Sequence, residues 1–595
     1  MLSMNRNAFV SMAICASLAF SHAASAKNHP YDAKFERQVR VLLYEGQQIS
    51  LAKVNAYLAK LNQKRLEIVG LSADGKMSNN SVLISKYSKD GLSKADLKKK
   101  LEESEQNMAF NYAINEVRKI KPGTSYQDVL DASYNALDIE AAVRIEGQHT
   151  LFELVSGILD AVLNSWKVKK VSRPYEEASN LFDRRAGAFL STQDIAFLKL
   201  RNTDLSLYSP ATSTFWQAQA DISTVDVRKA ARGETLDLYK GVQVEFPADN
   251  TFYMEEVKHS DTKPKVDVYV KRADGKKAKF KLKFGGEIHA DPIASALMMT
   301  LGYPTDVSRY ARNIRLVIGK LTNKDIDKLL TKKAISKEQA QSLTLNPGSR
   351  HEFLVSRFKR DWEVYYRPEY TRNKYLVENE VLNTGTLPDG QSYIVFKEGL
   401  IEAKPREIER FGPWAYSNHS SLREVRALSL VQIWLDNTDT PDFVNNRLLL
   451  KKNESGFQKF HVISDPGKSL GSIFGSMPEA YGWRVVSKNS DNEIALSYLS
   501  IANGVKGKIT YADARWAIRL IAGLTRAQIT AAVQLGGWSQ CIADNYINKA
   551  ISRRNDLVQN FGLVGERLSN GQIIQLLPVD MSVRELGFDG SCNKK

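Results

Sequence analysis

Between Ser421 and Ser472 the chain sets acidic and amide side chains in an order that suits phosphoryl transfer. Asp436-Asn437-Thr438-Asp439 comes first, Asn445-Asn446 follows, and Asp465-Pro466-Gly467 closes the series. Transfer of a phosphoryl group needs one carboxylate to orient or deprotonate the acceptor. It also needs an amide and a second carboxylate to hold Mg²⁺ on the phosphates. Asp439 suits the first role; Asp465, with Asn445 or Asn446, suits the second. The elements that must position them are legible around them. Val425, Leu428, Val431 and Leu435 recur at helical spacing before the first acidic corner. Arg447–Leu450 and Phe460–Ile463 are short apolar runs joined by KKNESG, a hairpin pattern that delivers the chain to Asp465.

At these residues the chain resembles the atypical kinases, the broad group that holds HipA-type and phosphatidylinositol kinases. It is more similar still to a set of bacterial kinase-like proteins. The motif residues are Trp434, Asn437, Asp439, Asn445, Asn446, His461, Asp465, Gly467, Leu470 and Gly471. The resemblance runs by motif order from about Phe215 to Leu563 and implies an α+β fold, a bilobal kinase-like domain that uses ATP with Mg²⁺ or Mn²⁺. Upstream, the strand KKAKFKLKF and the segment GGEIHADPIASALMMTLGYP give a lysine followed by a helix with early acids. A kinase nucleotide site uses that pair to hold the phosphates. Lys283 takes the lysine place, and Glu287 and Asp291 are both candidates for the acid. The strand Ser392–Phe396 stands where the resemblance puts the hinge, so Phe396 is expected to line the adenine. The chain departs from the pattern at Pro441, Val444 and Pro466, and Lys258–Pro264 has no glycine with which to follow a phosphate chain. Two other functions stay open: a pseudokinase that serves as a nucleotide or protein binding module, and a basic envelope-associated binding protein.

The 595 residues, 43% hydrophobic and 25% charged, describe a globular chain of several domains rather than a disordered one. Arg6, the apolar run Ala8–Phe20 and Ala24-Ser25-Ala26 read as a signal peptide spanning residues 1–26. The expected destination is periplasmic or extracellular. No later run has the length of a membrane span. A net charge of +16 and a pI near 9.3 favour anionic partners, such as nucleotides and acidic lipid or polymer surfaces, alongside an unknown acceptor. Cys541 and Cys592 both survive processing and are expected to pair in an oxidising compartment.

Residues 27–233 read as a mainly helical domain. It includes a long amphipathic stretch, Ser93–Ile120, and capping boxes at Thr124/Gln127 and Thr150/Glu153. Residues 234–595 form the expected kinase-like domain, its small lobe about 234–396 and its large lobe about 397–595. Lys281 is expected to guard an exposed strand edge. Gly467-Lys468-Ser469 imitates the end of a P-loop, but Val462 stands at the first glycine position. HExxH, GxSxG and paired CxxC motifs are missing, and the eight histidines show no metal-ligand spacing along the sequence.

Overall fold

The computed structural model describes residues 33–582, apart from 73, 79–80, 88–91, 148–168, 173–175, 243, 259–264, 364–380, 443–444, 454–455, 472–480, 497–504 and 506. The signal-peptide segment, Cys592 and the Thr150/Glu153 cap lie outside the described residues. The architecture is mixed α+β. No helix among the described residues is long and apolar enough to cross a membrane.

Alternating apolar residues build a mixed set of strands around one apolar centre, antiparallel except where the first pairs with the fourth. These are β1 (Thr251–Lys258), β2 (Lys265–Lys271), β3 (Lys277–Lys283), β4 (Ser308–Gly319), β5 (Val381–Thr386) and β6 (Ser392–Lys404). They pair in the order β5-β6-β3-β2-β1-β4, and β6 also pairs with β4, so the sheet closes on itself. Val266, Val268, Phe280, Leu282, Leu316, Ile394 and Ile401 fill the interior. Closure removes free edges, and β3 lies between β2 and β6. Lys281 therefore protects no edge: it sits half-buried in mid-sheet, opposite Glu402. Strand β6 continues past Phe396 to Lys404, and its later half is the part that pairs with β3.

Helix α2 (Glu287–Thr300) follows β3 through a Gly-Gly turn and is buried along its whole length. Beyond the sheet come β7 (Ile408–Arg410), helix α3 (Arg423–Trp434), β8 (Asn446–Asn453) and β9 (Gly456–Ile463). The last two form the expected hairpin, paired from Asn446↔Ile463 to Asn453↔Gly456. All twelve residues of α3 are buried. Arg423 Nε donates to Asp513 at 3.0 Å near its start. At its end Arg553 donates to the carbonyls of Trp434 at 2.8 Å and Ile433 at 2.6 Å, taking up acceptors the helix cannot satisfy itself. The chain thus leaves α3 at a fixed point, and Asp436 turns it with φ 55°.

The N-terminal helices share one contiguous apolar core with α2 and α3. The stretch expected as one helix is two, Lys94–Glu102 and Glu105–Arg118, because Ser104 interrupts it and caps the second by accepting from Asn107 N. A serine oxygen competes well for helix N–H groups at such a break. The next cap is also shifted. Ser125, not Thr124, accepts from Asp128 N at the start of α1 (Tyr126–Gly147).

Candidate functional site

The last residue of β3 points its ammonium into a nest of acids. Lys283 Nζ lies 2.9 Å from Glu402 Oε2, 3.4 Å from Asp465 Oδ1 and 4.0 Å from Asp291 Oδ2. Each partner arrives on a different element. Glu402 is on β6, two residues past the Leu400 that pairs with Lys283. Asp291 is on α2 and accepts from Ser308 Oγ at 2.5 Å. Asp465 is on the turn that follows β9. Burial alone would discharge the lysine, but Asp465, Glu402 and Asp291 hold its pKa well above the usual range. Burial likewise opposes ionisation of Glu402, yet Lys283, Lys404, Lys281 and Arg410 hold it well below the ordinary carboxylate range. Asp291 goes the other way. Burial, with the nearby charges of Asp465 and Glu402, outweighs Lys283 and pushes it up to about 7.

The Asp465 turn is locked on two sides. A Cβ on Gly467 would meet Glu287 Cβ at 2.7 Å, so glycine is what allows the turn to lie on the start of α2. On the other side, Thr438 N donates to Lys468 O at 3.1 Å and Leu470 N to Leu435 O at 2.8 Å. Those bonds zip the turn to the loop that carries Asp439. Within that loop, Asn437 Oδ1 accepts from Asp439 N at 3.2 Å. Asn445, at φ 60°, donates its amide to Asp439 O at 3.1 Å. Asn446 points elsewhere: it is fully buried, and its amide donates to Asp442 O at 3.4 Å. Burial raises the Asp439 pKa, with Lys468 opposing and Glu287 and Asp465 reinforcing.

Of the residues picked out by type and spacing, Lys283, Glu287, Asp291, Asp439, Asn445 and Asp465 therefore gather where the end of β3, the start of α2 and the Asp465 turn meet. Phe396 is not among the charged groups. It is buried in the sheet's apolar core, 4.7 Å from the ring of Phe284 and 6.2 Å from that of Phe358. Glu402, the nearest acid to Lys283, escaped the sequence reading. Its one signal is an acid at a buried position late in an apolar strand.

A second charged cluster joins α1 to the hairpin. Asp138 Oδ2 takes Lys459 Nζ at 2.6 Å and His461 Nε2 at 2.9 Å, while His419 Nε2 stands 3.6 Å from Oδ1. The outer ring nitrogens are engaged too, His461 with Thr214 Oγ1 at 2.8 Å and His419 with Tyr134 Oη at 2.6 Å. Histidines with no metal-ligand spacing in the sequence are thus brought with Asp138 into a group whose donor atoms lie within 4.8 Å of one another. Lys459 already supplies a cation to that single carboxylate. A divalent ion added beside it would leave uncompensated positive charge in a buried place. Burial pushes His461 down to about 3, so it stays neutral. Lys459 and His461 overcome burial to hold Asp138 well below the usual range.

Compared with protein-family models, curated proteins and solved structures, the chain finds no match.

Proposed function

We propose that the chain is an exported phosphotransferase whose bilobal kinase-like domain follows a mainly helical N-terminal segment. It moves the γ-phosphoryl group of ATP to a hydroxyl of a protein, lipid or small-molecule acceptor. The observation that supports this most is convergence: Asp291, Glu402 and Asp465 approach one lysine to within 4.0 Å from three separate elements, and Asp439 sits across the same turn. The oxygen-rich set suits a hard divalent cation. Asp465, with 22% of its side chain exposed, and the oxygen of Asn445 are the residues that would hold Mg²⁺ or Mn²⁺. When bound, that ion neutralises charge on the phosphates. Lys283 binds phosphate oxygens, with Glu402 and Asp291 keeping it charged and aimed. Asp439 receives the acceptor's proton, and Asn445 and Asn437 fix its main chain. Export rests on Arg6, the apolar run after it and the small-residue site ending at Ala26.

One observation favours the pseudokinase reading: Lys283 already pairs with Asp465 at 3.4 Å, on the carboxylate that metal would need. Thermal shift and ATP turnover by the exported chain separate the readings. A nucleotide at about 100 times its Kd adds about 2.7 kcal/mol of stability. The phosphotransferase should show that shift with Mg²⁺ or Mn²⁺ and should hydrolyse or transfer phosphate. A shift without turnover leaves the pseudokinase. No shift under any divalent metal leaves a nucleotide-free pseudokinase or a basic binding protein.

A further inference from the structure

We propose that Lys468 is a further catalytic residue, whose ammonium contacts the transferring phosphoryl group beside Asp439. This rests on the phosphotransferase reading above. Phosphoryl transfer spreads charge over the equatorial oxygens, and preorganised cations at that point lower the barrier. The segment Asp436–Asn446 carries Asp436, Asp439 and Asp442 but neither lysine nor arginine, so the cation has to come from outside it. Lys283 is buried and held by Glu402, Asp465 and Asp291. Lys468 is placed differently. Its Nζ lies 3.8 Å from Asp439 Oδ2, and its side chain is 29% exposed.

The main chain beneath it is fixed. Lys468 O accepts from both Thr438 N at 3.1 Å and Thr438 Oγ1 at 3.4 Å. Pro466 restricts the turn before it, and Gly467 is pressed on Glu287. In the step itself, the acceptor oxygen bonds to the γ-phosphorus and its proton passes to Asp439. The bond from that phosphorus to the β–γ bridging oxygen breaks, leaving the nucleoside diphosphate. As Asp439 takes the proton it loses its hold on Lys468, whose charge then answers the equatorial oxygens.

Steady-state turnover of Mg·ATP by the full exported chain tests this with Lys468→Met, Lys468→Gln and Lys468→Arg, each checked for an unchanged melting temperature. The Met and Gln variants should lose roughly 10²–10³-fold in kcat, the worth of a preorganised charge, with KM for ATP nearly unmoved. The Arg variant should recover most of the loss. A lysine that only tunes Asp439 would shift the acid limb of the pH profile upward and leave the kcat plateau intact, and that result overturns the proposal. So does a Met variant that turns over like the wild type. A folded wild type without turnover under any divalent metal removes the phosphotransferase reading, and this assignment with it. An active wild type indifferent to Lys468 removes this assignment alone.

Discussion

Around Lys283 one ammonium faces three carboxylates, with Glu287 and Asp439 close behind; around Asp138 one carboxylate faces an ammonium and two imidazoles. The first cluster crowds acids together, and two of them, Asp291 and Asp439, have their pKa values raised. It also reaches solvent, through Asp465, Asp439 and Lys468, whose side chains are 22%, 28% and 29% exposed. The second is balanced and sealed: Asp138, Lys459 and His461 are all buried, and Asp138 stays ionised while His461 stays neutral. A solvent-facing set of carboxylates beside a lysine is what a divalent ion and a phosphate chain need together. A sealed, balanced network is a fastening. The two meet on β9, which carries Lys459 and His461 near its end and Asp465 two residues beyond it. The fastening thus holds the strand from which the site hangs.

If this contrast is right, changes in the open cluster remove function and spare stability. Asp465→Asn should abolish Mg²⁺-dependent nucleotide binding and reduce turnover by roughly 10³-fold or more, since it removes the carboxylate that would hold the metal ion. Asp439→Asn should leave nucleotide binding nearly intact and slow turnover by roughly 10²–10⁴-fold, the worth of a positioned acid–base group. Both variants should keep the wild-type melting temperature without nucleotide. Equal nucleotide binding by wild type and Asp465→Asn would end the assignment of Asp465 to the metal.

The sealed cluster should break the other way. Asp138→Asn strands the ammonium of Lys459 in a buried place, a loss of about 3–5 kcal/mol in denaturant unfolding. Adding Lys459→Met should return a large part of it, because the uncompensated charge is then gone. An unchanged denaturation midpoint in the single variant would show that Asp138 fastens nothing.

His461 gives a smaller effect with a definite sign. Its folded pKa falls to about 3 from an ordinary 6.5, so its stabilising contribution is complete above 6.5 and fades as pH drops toward 3. In that window the unfolded chain binds a proton the folded chain refuses. Asp138, also depressed, contributes above its ordinary carboxylate pKa and fails only at lower pH. His461→Gln should therefore flatten the wild-type stability slope between about pH 6 and 4. A slope that survives the substitution assigns the acid sensitivity to Asp138 alone.

How much of this was legible in the sequence follows from how local each signal is. The helix before Asp436 and the hairpin before Asp465 were readable, because apolar periodicity and turn residues act within a few positions. Lys283, Glu287 and Asp291 were readable as a strand lysine followed by helix acids. Glu402 was not, because it reaches Lys283 by strand pairing across more than a hundred intervening residues. The Asp138 cluster left no trace at all: nothing along the chain links residue 138 on a helix to Lys459 and His461 on a hairpin. Lys468 was visible only as a fragment of a failed P-loop, since its meaning depends on the fold that lays its turn against Thr438 and Asp439. Phe396 shows the opposite limit: a place in a motif order says little about which side of a closed sheet a ring will occupy.

Asp291→Asn probes the open cluster with the smallest expected change. Burial holds the Asp291 proton to about pH 7, against 3.8 ordinarily, so the folded chain binds it more tightly than the unfolded chain does. The contribution of this group to stability is therefore whole below 3.8 and is lost as pH rises through 7. Asparagine cannot ionise, and its Oδ1 can still accept from Ser308 Oγ, which lies 2.5 Å from the carboxylate. The variant should match the wild type near pH 4 and exceed it near pH 8, where the wild type holds an ionised Asp291 in a buried place. Lys283 keeps Glu402 at 2.9 Å, so turnover should change far less than in Asp465→Asn. Parallel stability-against-pH curves for the two proteins would show that Asp291 is already ionised well below pH 7 in the folded chain, and that the ammonium of Lys283, 4.0 Å away, outweighs burial in setting its charge.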